Sequence, residues 1–494
     1  MRLGSIWARE VRCRVTGTDP VDPAAGTRRP FERGLCPRNL FRGEVSEGAI
    51  EAPSERSSVS VVARPIGRAL AAIVGRESVV EAAEACARSA IDGLVPRWVV
   101  QPTSLEQVSR VLALAWDAEL AVVPRGGGNA LELGRPPSRL DLVLDLRRLD
   151  RIIEYNSDDL TVTVEAGTTA GALAARVATR RQLLPLDPAG VARRTLGGLA
   201  ATNASGPLRA RYGTLRDLLL GVRFVQADGV VTWGGAKVVK SVSGYDVPKL
   251  MVGALGTLGV LGELTLRLHP MPEFEATWLA SFEDLAVAQA FVARLIDSTV
   301  QPTRVEILNR AALTACGGGE ASAAVAVSIG TAEEAVRAQG QTVARFAGAT
   351  GATLAPLDTR FWTAYEGAMA PSEAVLLHVA TLPTQVGETT AEAEQAVAAA
   401  GAVATITGSA VLGGLSVAFP AVELHAVRRI VERLRELVVP IGGSVLIHRA
   451  PAAVRAVVDP WGPVEPGAFA LMRGLKDEFD AKRVLNPGRF VGGL

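Results

Sequence analysis

The chain has 494 residues, too many for one ordinary hydrophobic core and enough for two or three domains. Hydrophobic residues make up 48% and aromatics only 5%, so the core must be built largely from Ala, Val and Leu. With 52 basic and 51 acidic residues the net charge is +1, and no basic block interrupts the main body, which argues against a nucleic-acid binder.

Residues 1–60 differ from the rest. They are rich in Arg, Pro, Gly, Glu and Ser with little apolar period, which predicts a disordered leader or a start placed too early. They contain no apolar signal-peptide core. Asp19, Asp22, Glu32, Glu44 and Glu47 argue against an Arg-rich transit peptide. Cys13, Cys36, Cys86 and Cys316 stand far apart with no C-x-x-C pair, which disfavours an iron–sulfur cluster, a structural zinc or a disulfide framework in this chain.

Regular patterning begins near Pro65. Thr103-Ser104-Leu105-Glu106 reads as a capping box before a helix whose apolar face carries Leu105, Val108, Leu112 and Ala115. Ala121-Val122-Val123 reads as a buried strand running into Pro124-Arg125-Gly126-Gly127-Gly128-Asn129. Alternation predicts strands around Leu142–Leu146 and Thr161–Ala166, then a helix over Thr169–Gln182. Leu184–Tyr212 is dense in Gly, Pro, Asn and Ser and reads as a long non-regular segment. Asp228-Gly229 between Val222–Ala227 and Val230–Trp233 predicts a hairpin. Beyond Pro270, strand and helix candidates alternate in an α+β pattern consistent with two ferredoxin-like halves. The almost uncharged run from Gln395 to Leu424 is broken by glycines and Pro420, so it reads as a helix end and two buried strands rather than a membrane span.

Three segments could carry chemistry. Arg125-Gly126-Gly127-Gly128-Asn129 offers unshielded backbone N–H groups and a cation, an arrangement suited to a pyrophosphate, or else a plain tight turn. It is neither G-x-G-x-x-G nor a Walker A motif. Thr195-Leu196-Gly197-Gly198-Leu199-Ala200-Ala201-Thr202-Asn203-Ala204-Ser205-Gly206-Pro207 is nearly all small residues, which lets a flat ring or a second surface approach the backbone. Lys237–Asp246 leads into a run with glycine at every third position, Gly253, Gly256, Gly259 and Gly262.

In order, R-G-G-G-N, L-P-L-D-P, T-L-G-G-L-A-A-T-N-A-S-G-P, R-Y-G-T, V-V-K-S-V-S-G-Y-D, L-G-T-L-G-V and L-N-P-G-R-F resemble the FAD-binding subunit of bacterial glycolate oxidase. That family lies within the vanillyl-alcohol oxidase and p-cresol methylhydroxylase flavoproteins. The resemblance implies an α+β fold: a two-subdomain FAD-binding domain of the p-cresol methylhydroxylase type over 61–272, densest in 94–272. An α+β, ferredoxin-like cap would follow over 273–470, and residues 471–494 would return to the FAD domain. It implies that Pro124, Arg125, Gly126, Gly127, Gly128 and Asn129 wrap the FAD pyrophosphate. Leu186, Asp187, Pro188, Gly197 and Gly198 would pass beside the cofactor, and Thr202, Asn203, Ser205 and Gly206 would line it. Gly256, Thr257, Gly259 and Val260 would meet the adenine half, and Asn486 and Gly488 the flavin face. Residues 125–133 hold no His, Cys or Tyr, so the FAD is expected to be non-covalent.

The implied activity is oxidation of glycolate or D-lactate in a complex with a second flavoprotein and an iron–sulfur subunit. The expected location is cytoplasmic, with any contact to the inner membrane face made through those partners. A stand-alone D-2-hydroxy-acid dehydrogenase or oxidase and a non-catalytic flavin-binding assembly factor are the alternatives. Catalytic relatives carry an H-x-G-D-G-N histidine cluster that is missing here. Only His269, His378, His425 and His448 are available, which supports no metal site. His269 and His425 read as structural or solvated. His378, His448, Arg449 and Tyr245 remain as unranked catalytic candidates.

Overall fold

The computed structural model describes residues 66–236 and 245–494, all within one compact unit that spans Ala63–Leu494. The leader expected over 1–60 lies outside the described residues, as do Lys237–Gly244.

Two sheets make up the N-terminal half. In the first, Trp98–Val100, Leu142–Asp145 and Val122–Arg125 run parallel, and Val79–Val80 adds an antiparallel edge. Val100, Val122, Leu142 and Leu144 pack with the helices Ile66–Val74 and Leu105–Asp117. Val99, Val123 and Val143 enter a separate cluster with Cys86 and Ile91. Burial on both sides explains why Val143 as well as Leu142 and Leu144 is apolar, although the segment is predicted from alternation. The cap of the Leu105 helix sits one residue later than its spacing suggested. Ser104 accepts from the Gln107 N–H at 3.2 Å, while the Gln107 side chain reaches back to the Thr103 N–H.

The second sheet is five-stranded and antiparallel, in the order Ile152–Asn156, Thr161–Glu165, Val260–Arg267, Leu219–Val225, Val231–Gly235. The Asp228-Gly229 hairpin forms where expected. The long segment after Leu184 is more regular than its composition suggested, because Leu196–Thr202 is helical. Two glycines weaken that helix, but Thr195 caps its N-terminus, Asn203 ends it in the left-handed region, and Leu196, Leu199 and Ala200 are buried. The preceding helix is shorter than predicted, Ala170–Ala178, since Arg181 turns to φ 52° ahead of the short strand Gln182–Leu183.

The C-terminal half is built on one eight-stranded antiparallel sheet. Its order is Thr353–Leu357, Phe274–Phe282, Ala323–Thr331, Arg304–Asn309, Thr405–Ser409, Gly414–Phe419, Val375–Ala380, Ser444–Arg449. Read along the chain, each group of four follows the ferredoxin-like order 4-1-3-2, and the two groups meet edge to edge at Arg304–Asn309 and Thr405–Ser409. Asn309 stitches that seam: its Oδ1 accepts from Ala312 and Ile406 N–H groups, and its Nδ2 donates to Ala404 O. Four helices, Leu285–Ile296, Glu333–Ala349, Val386–Ala398 and Leu424–Val438, cover one face of the sheet. The opposite face carries Glu306, Thr407, Ser409, Ser416, His378 and His448, and approaches the N-terminal half through Arg304–Asp187 and through Glu366 on the Gly190 N–H.

The last residues return to the first sheet. The Val122 N–H donates to Val484 O at 2.8 Å, and the Asn486 N–H donates to Val122 O at 2.9 Å, so the tail extends the open edge beside the glycine loop. Buried Lys476 holds this return, donating to Asp480, Thr257 O and Leu485 O, while the Asp480 carboxylate accepts from the Val484 and Leu485 N–H groups. Among the described residues no helix is long and apolar enough to cross a membrane.

Candidate functional site

Strand Val122–Arg125 delivers the glycine loop to the mouth of an open cleft. Its walls include Pro124 through Leu131, Arg194, Thr195, Gly198, Thr202, Leu255, Asn486 and Arg489. A side chain at Gly126 would collide with the Thr195 hydroxyl, and Gly128 sits at φ 76°, so the loop needs its glycines to take this shape. Arg125 is anchored from below by fully buried Asp145, at 3.0 Å. Burial alone would raise the Asp145 pKa, but hydrogen bonds from Arg147, Gln101 and Arg125 and the Arg125 charge outweigh it and hold the carboxyl at about 2. Asp145 therefore stays ionised and fixes the base of the loop.

Two buried acceptors beside this cleft have no partner among the described residues: Asn203 Oδ1 and Asn486 Oδ1. Both residues are held in the left-handed region, at φ 46° and 45°, and the Asn486 amide is fixed by donation to Leu255 O. An acceptor buried without a donor is costly unless a ligand completes it. Glycine N–H groups, a fixed cation and two orphaned acceptors suit an anionic ligand that also carries donors, as a flavin dinucleotide does.

Of the residues named from sequence, Pro124 to Asn129, Gly198, Thr202 and Asn486 line this cleft, and Asn203 adjoins it. Others lie apart from it. The Asp187 carboxylate is spent on Arg304 and the Leu208 N–H, and Gly206 packs on the Asp187 backbone. Leu186, Gly197, Thr257 and Val260 are buried, Gly259 packs on Phe224 and Met251, and Gly488 packs against Ser138. Pro188 and Ser205 are outside the lining, while Gly256 lies between Pro124 and the Asn486 amide.

The catalytic candidates separate into a pair and two outsiders. His378 and His448 project from adjacent strands of the eight-stranded sheet and stack, with ring centroids 4.3 Å apart and planes 20° from parallel. His378 keeps accessible surface on the inner sheet face, yet protein surrounds it closely enough that burial is the main force on its basicity. Burial, then the charges of Arg209 and Arg194, lower the His378 pKa to about 4. Burial, His378, Arg194 and Arg449 push His448 well below the usual range. Both rings are thus neutral at pH 7. The Arg449 head is occupied by the carbonyls of Ala374 and Pro371, and Tyr245 is 85% exposed. His269 packs edge-on against Tyr212, and His425 pairs with Glu423 on the surface.

Arg194 escaped the sequence reading and joins the two regions. It is 8% exposed, lines the cleft, places its charge on both histidines, and its side chain makes no hydrogen bond or ion pair among the described residues. Burial lowers its pKa. Its one local signal is the pair Arg193-Arg194 just ahead of the small-residue segment. Arg489 was named only within its motif; it braces the loop by donating to Leu131 O and Leu133 O. Among the described residues no group of three or more His, Cys, Asp or Glu could hold a metal ion.

Comparison with known proteins agrees with this architecture. Residues 96–235 match the FAD binding domain family, and residues 271–490 match the C-terminal domain of FAD linked oxidases. The glycolate oxidase subunit GlcD of Bacillus subtilis is 32% identical over 219 residues, 44% of this chain and 47% of that protein, so the matched stretch spans about half of the relative. A probable mitochondrial D-lactate dehydrogenase of Danio rerio is 29% identical over 80% of this chain and 84% of its own length. The crystal structure of p-cresol methylhydroxylase superposes with a TM-score of 0.70 over 86% of this chain and 95% of that one, at 15% identity, which establishes the shared fold. The chain thus carries an FAD binding domain followed by the C-terminal domain of FAD linked oxidases.

Proposed function

We propose that this chain oxidises a small 2-hydroxy acid, with glycolate and D-lactate as the first acids to test, and passes the electrons to a partner in a glycolate-oxidase-like complex. One observation carries the reading: two stacked histidines, both neutral at pH 7, feel the charge of Arg194, a buried arginine in the cleft wall whose side chain has no counter-ion among the described residues.

In this reading the N–H groups of Gly126 to Asn129, with Arg125, hold the FAD pyrophosphate, and the bond to protein is non-covalent. Gly198, Thr202 and Asn203 follow the dinucleotide, and Asn486 Oδ1 accepts from it at the tail. Bound FAD supplies the acceptor for the hydride that leaves the acid's Cα. Arg194 binds the substrate carboxylate and orients the hydroxyl towards the histidine pair. A neutral ring nitrogen of His378 or His448 takes the hydroxyl proton. At a pKa near 4 His378 is a weak base in the resting site. A carboxylate laid against Arg194 cancels part of the field that depresses both rings, so acid binding itself raises their basicity.

The partner proposal covers a second flavoprotein and an iron–sulfur subunit, with the assembly in the cytoplasm and any membrane contact made through those partners. Its support is that the matched Bacillus subtilis relative is itself named as a subunit. The test is an anaerobic visible spectrum of the FAD-loaded chain with excess glycolate or D-lactate. Bleaching of the flavin band establishes acid oxidation by this chain. A flavin that neither bleaches nor shifts with either acid removes the substrate from this site.

A further inference from the structure

A second arginine without an ion pair among the described residues acts on the histidine pair. Arg209 begins the short helix Arg209–Tyr212, and its Nη1 lies 3.7 Å from where a Cβ would stand at Gly414, on the inner face of the eight-stranded sheet. Gly414 lies two residues from Ser416, which pairs with His378. Among charges, that of Arg209 weighs most on His378, ahead of Arg194. No hydrogen bond or ion pair engages the Arg209 side chain among the described residues, and each nearby acid is already committed. Asp187 pairs with Arg304 and accepts from the Leu208 N–H. Glu275 pairs with Arg304, and Glu366 accepts from the Gly190 N–H. Glu306, which Arg209 also faces, is fully enclosed and hydrogen-bonded to the Tyr365 hydroxyl at 2.5 Å. Burial raises its pKa to about 8, so at neutral pH it is largely uncharged and makes no ion pair with Arg209, whose exposed side chain is open to a ligand.

We propose that Arg194 and Arg209 act as two separate carboxylate receptors around the histidine pair, so that the site selects a 2-hydroxy dicarboxylate over a monocarboxylate. This rests on the reading above and sharpens its substrate class. A monocarboxylate offers one negative charge to a site with two unpaired guanidiniums. A four- or five-carbon 2-hydroxy diacid offers two, the one beside the reacting carbon to Arg194 and the distal one to Arg209.

The test uses the full chain loaded with FAD. Dissociation constants for the monocarboxylate pyruvate and the dicarboxylate 2-oxoglutarate are measured by flavin spectral shift and calorimetry, and those of the hydroxy acids from the concentration dependence of flavin reduction. Flavin reduction is followed anaerobically with glycolate, D-lactate, D-malate and D-2-hydroxyglutarate. The diacids are expected to bind at least tenfold more tightly than D-lactate. R209Q is expected to raise the diacid constants at least tenfold more than that of D-lactate, while R209K recovers part of the loss. Unchanged flavin content and spectrum establish that each variant is folded. Equal binding of mono- and diacids, or an R209Q effect that is uniform across them, overturns the two-receptor assignment while acid oxidation stands. If no hydroxy acid of either kind binds or reduces the flavin, both readings fall together.

Discussion

Replacing Arg194 by methionine separates a substrate-binding role from a structural one. Arg194 is 8% exposed and its side chain is unpaired among the described residues, so the acid-free protein carries a largely desolvated charge with no carboxylate beside it there. A hydrogen bond to a charged group contributes about 1.5–3 kcal/mol, so R194M should weaken acid binding about 10- to 150-fold. Without acid the same change should leave the melting temperature equal or higher, because an unpaired buried cation gives way to an apolar side chain of similar length. With acid at about 100 times its dissociation constant, the wild type should gain about 2.7 kcal/mol, and R194M should gain far less at the same concentration. Calorimetric melts with and without D-lactate, together with stopped-flow anaerobic flavin reduction, read both effects. A variant that melts lower without acid yet keeps its acid affinity would refute the argument and make Arg194 a structural residue.

G126A should lower FAD affinity at least tenfold, since the new Cβ meets the Thr195 hydroxyl and forces the loop out of shape; flavin content after dialysis measures it. K476M should destabilise by about 3–5 kcal/mol, because Asp480 would remain buried without its cation, and it should loosen Asn486 from the cleft; thermal melting and flavin retention report the two effects. The folded-state pKa of His378 is depressed to about 4, so its contribution to stability is fully present above the ordinary value near 6.5 and is lost as pH falls from there towards 4. Flavin reduction in the resting-enzyme pH profile should therefore lose its base with an acid limb well below pH 6.5, and a limb at 6.5 or above would exclude His378. Glu306 behaves in the opposite sense: its raised pKa gives stability that is full below about 4.5 and lost as pH rises through about 8. E306Q should flatten that decline in melts between pH 5 and 9, and an identical slope in wild type and variant would show that Glu306 is ionised in the fold.

Features whose causes act over a few residues were legible in the chain. The Ser104 cap, the Asp228-Gly229 hairpin and the strand that ends in three glycines each depend on local backbone chemistry, and each appears within a residue or two of its expected place. The ferredoxin-like halves were legible because alternating periods of 2 and 3.6 repeat along the chain. The helix Leu196–Thr202 was not, because composition registers its glycines and not the caps and burial that offset them. Thr257 and Val260 are buried and Gly259 packs on Phe224 and Met251, close packing that a glycine-rich spacing does not by itself reveal.

The sequence by itself determined the order of elements, the glycine loop, the family motifs and the shortage of histidines. Only the tertiary structure decided which charged groups meet. His378 and His448 are 70 positions apart and stack because their strands are neighbours in one sheet. Asn486 reaches the glycine loop because the tail pairs with Val122, more than 350 residues earlier. Arg194 and Arg304 look alike as letters, but Arg304 finds Asp187 and Glu275 whereas Arg194 finds no carboxylate among the described residues. The field at a charge is the sum over everything within a few ångströms, and in a folded chain those neighbours come from anywhere in the sequence.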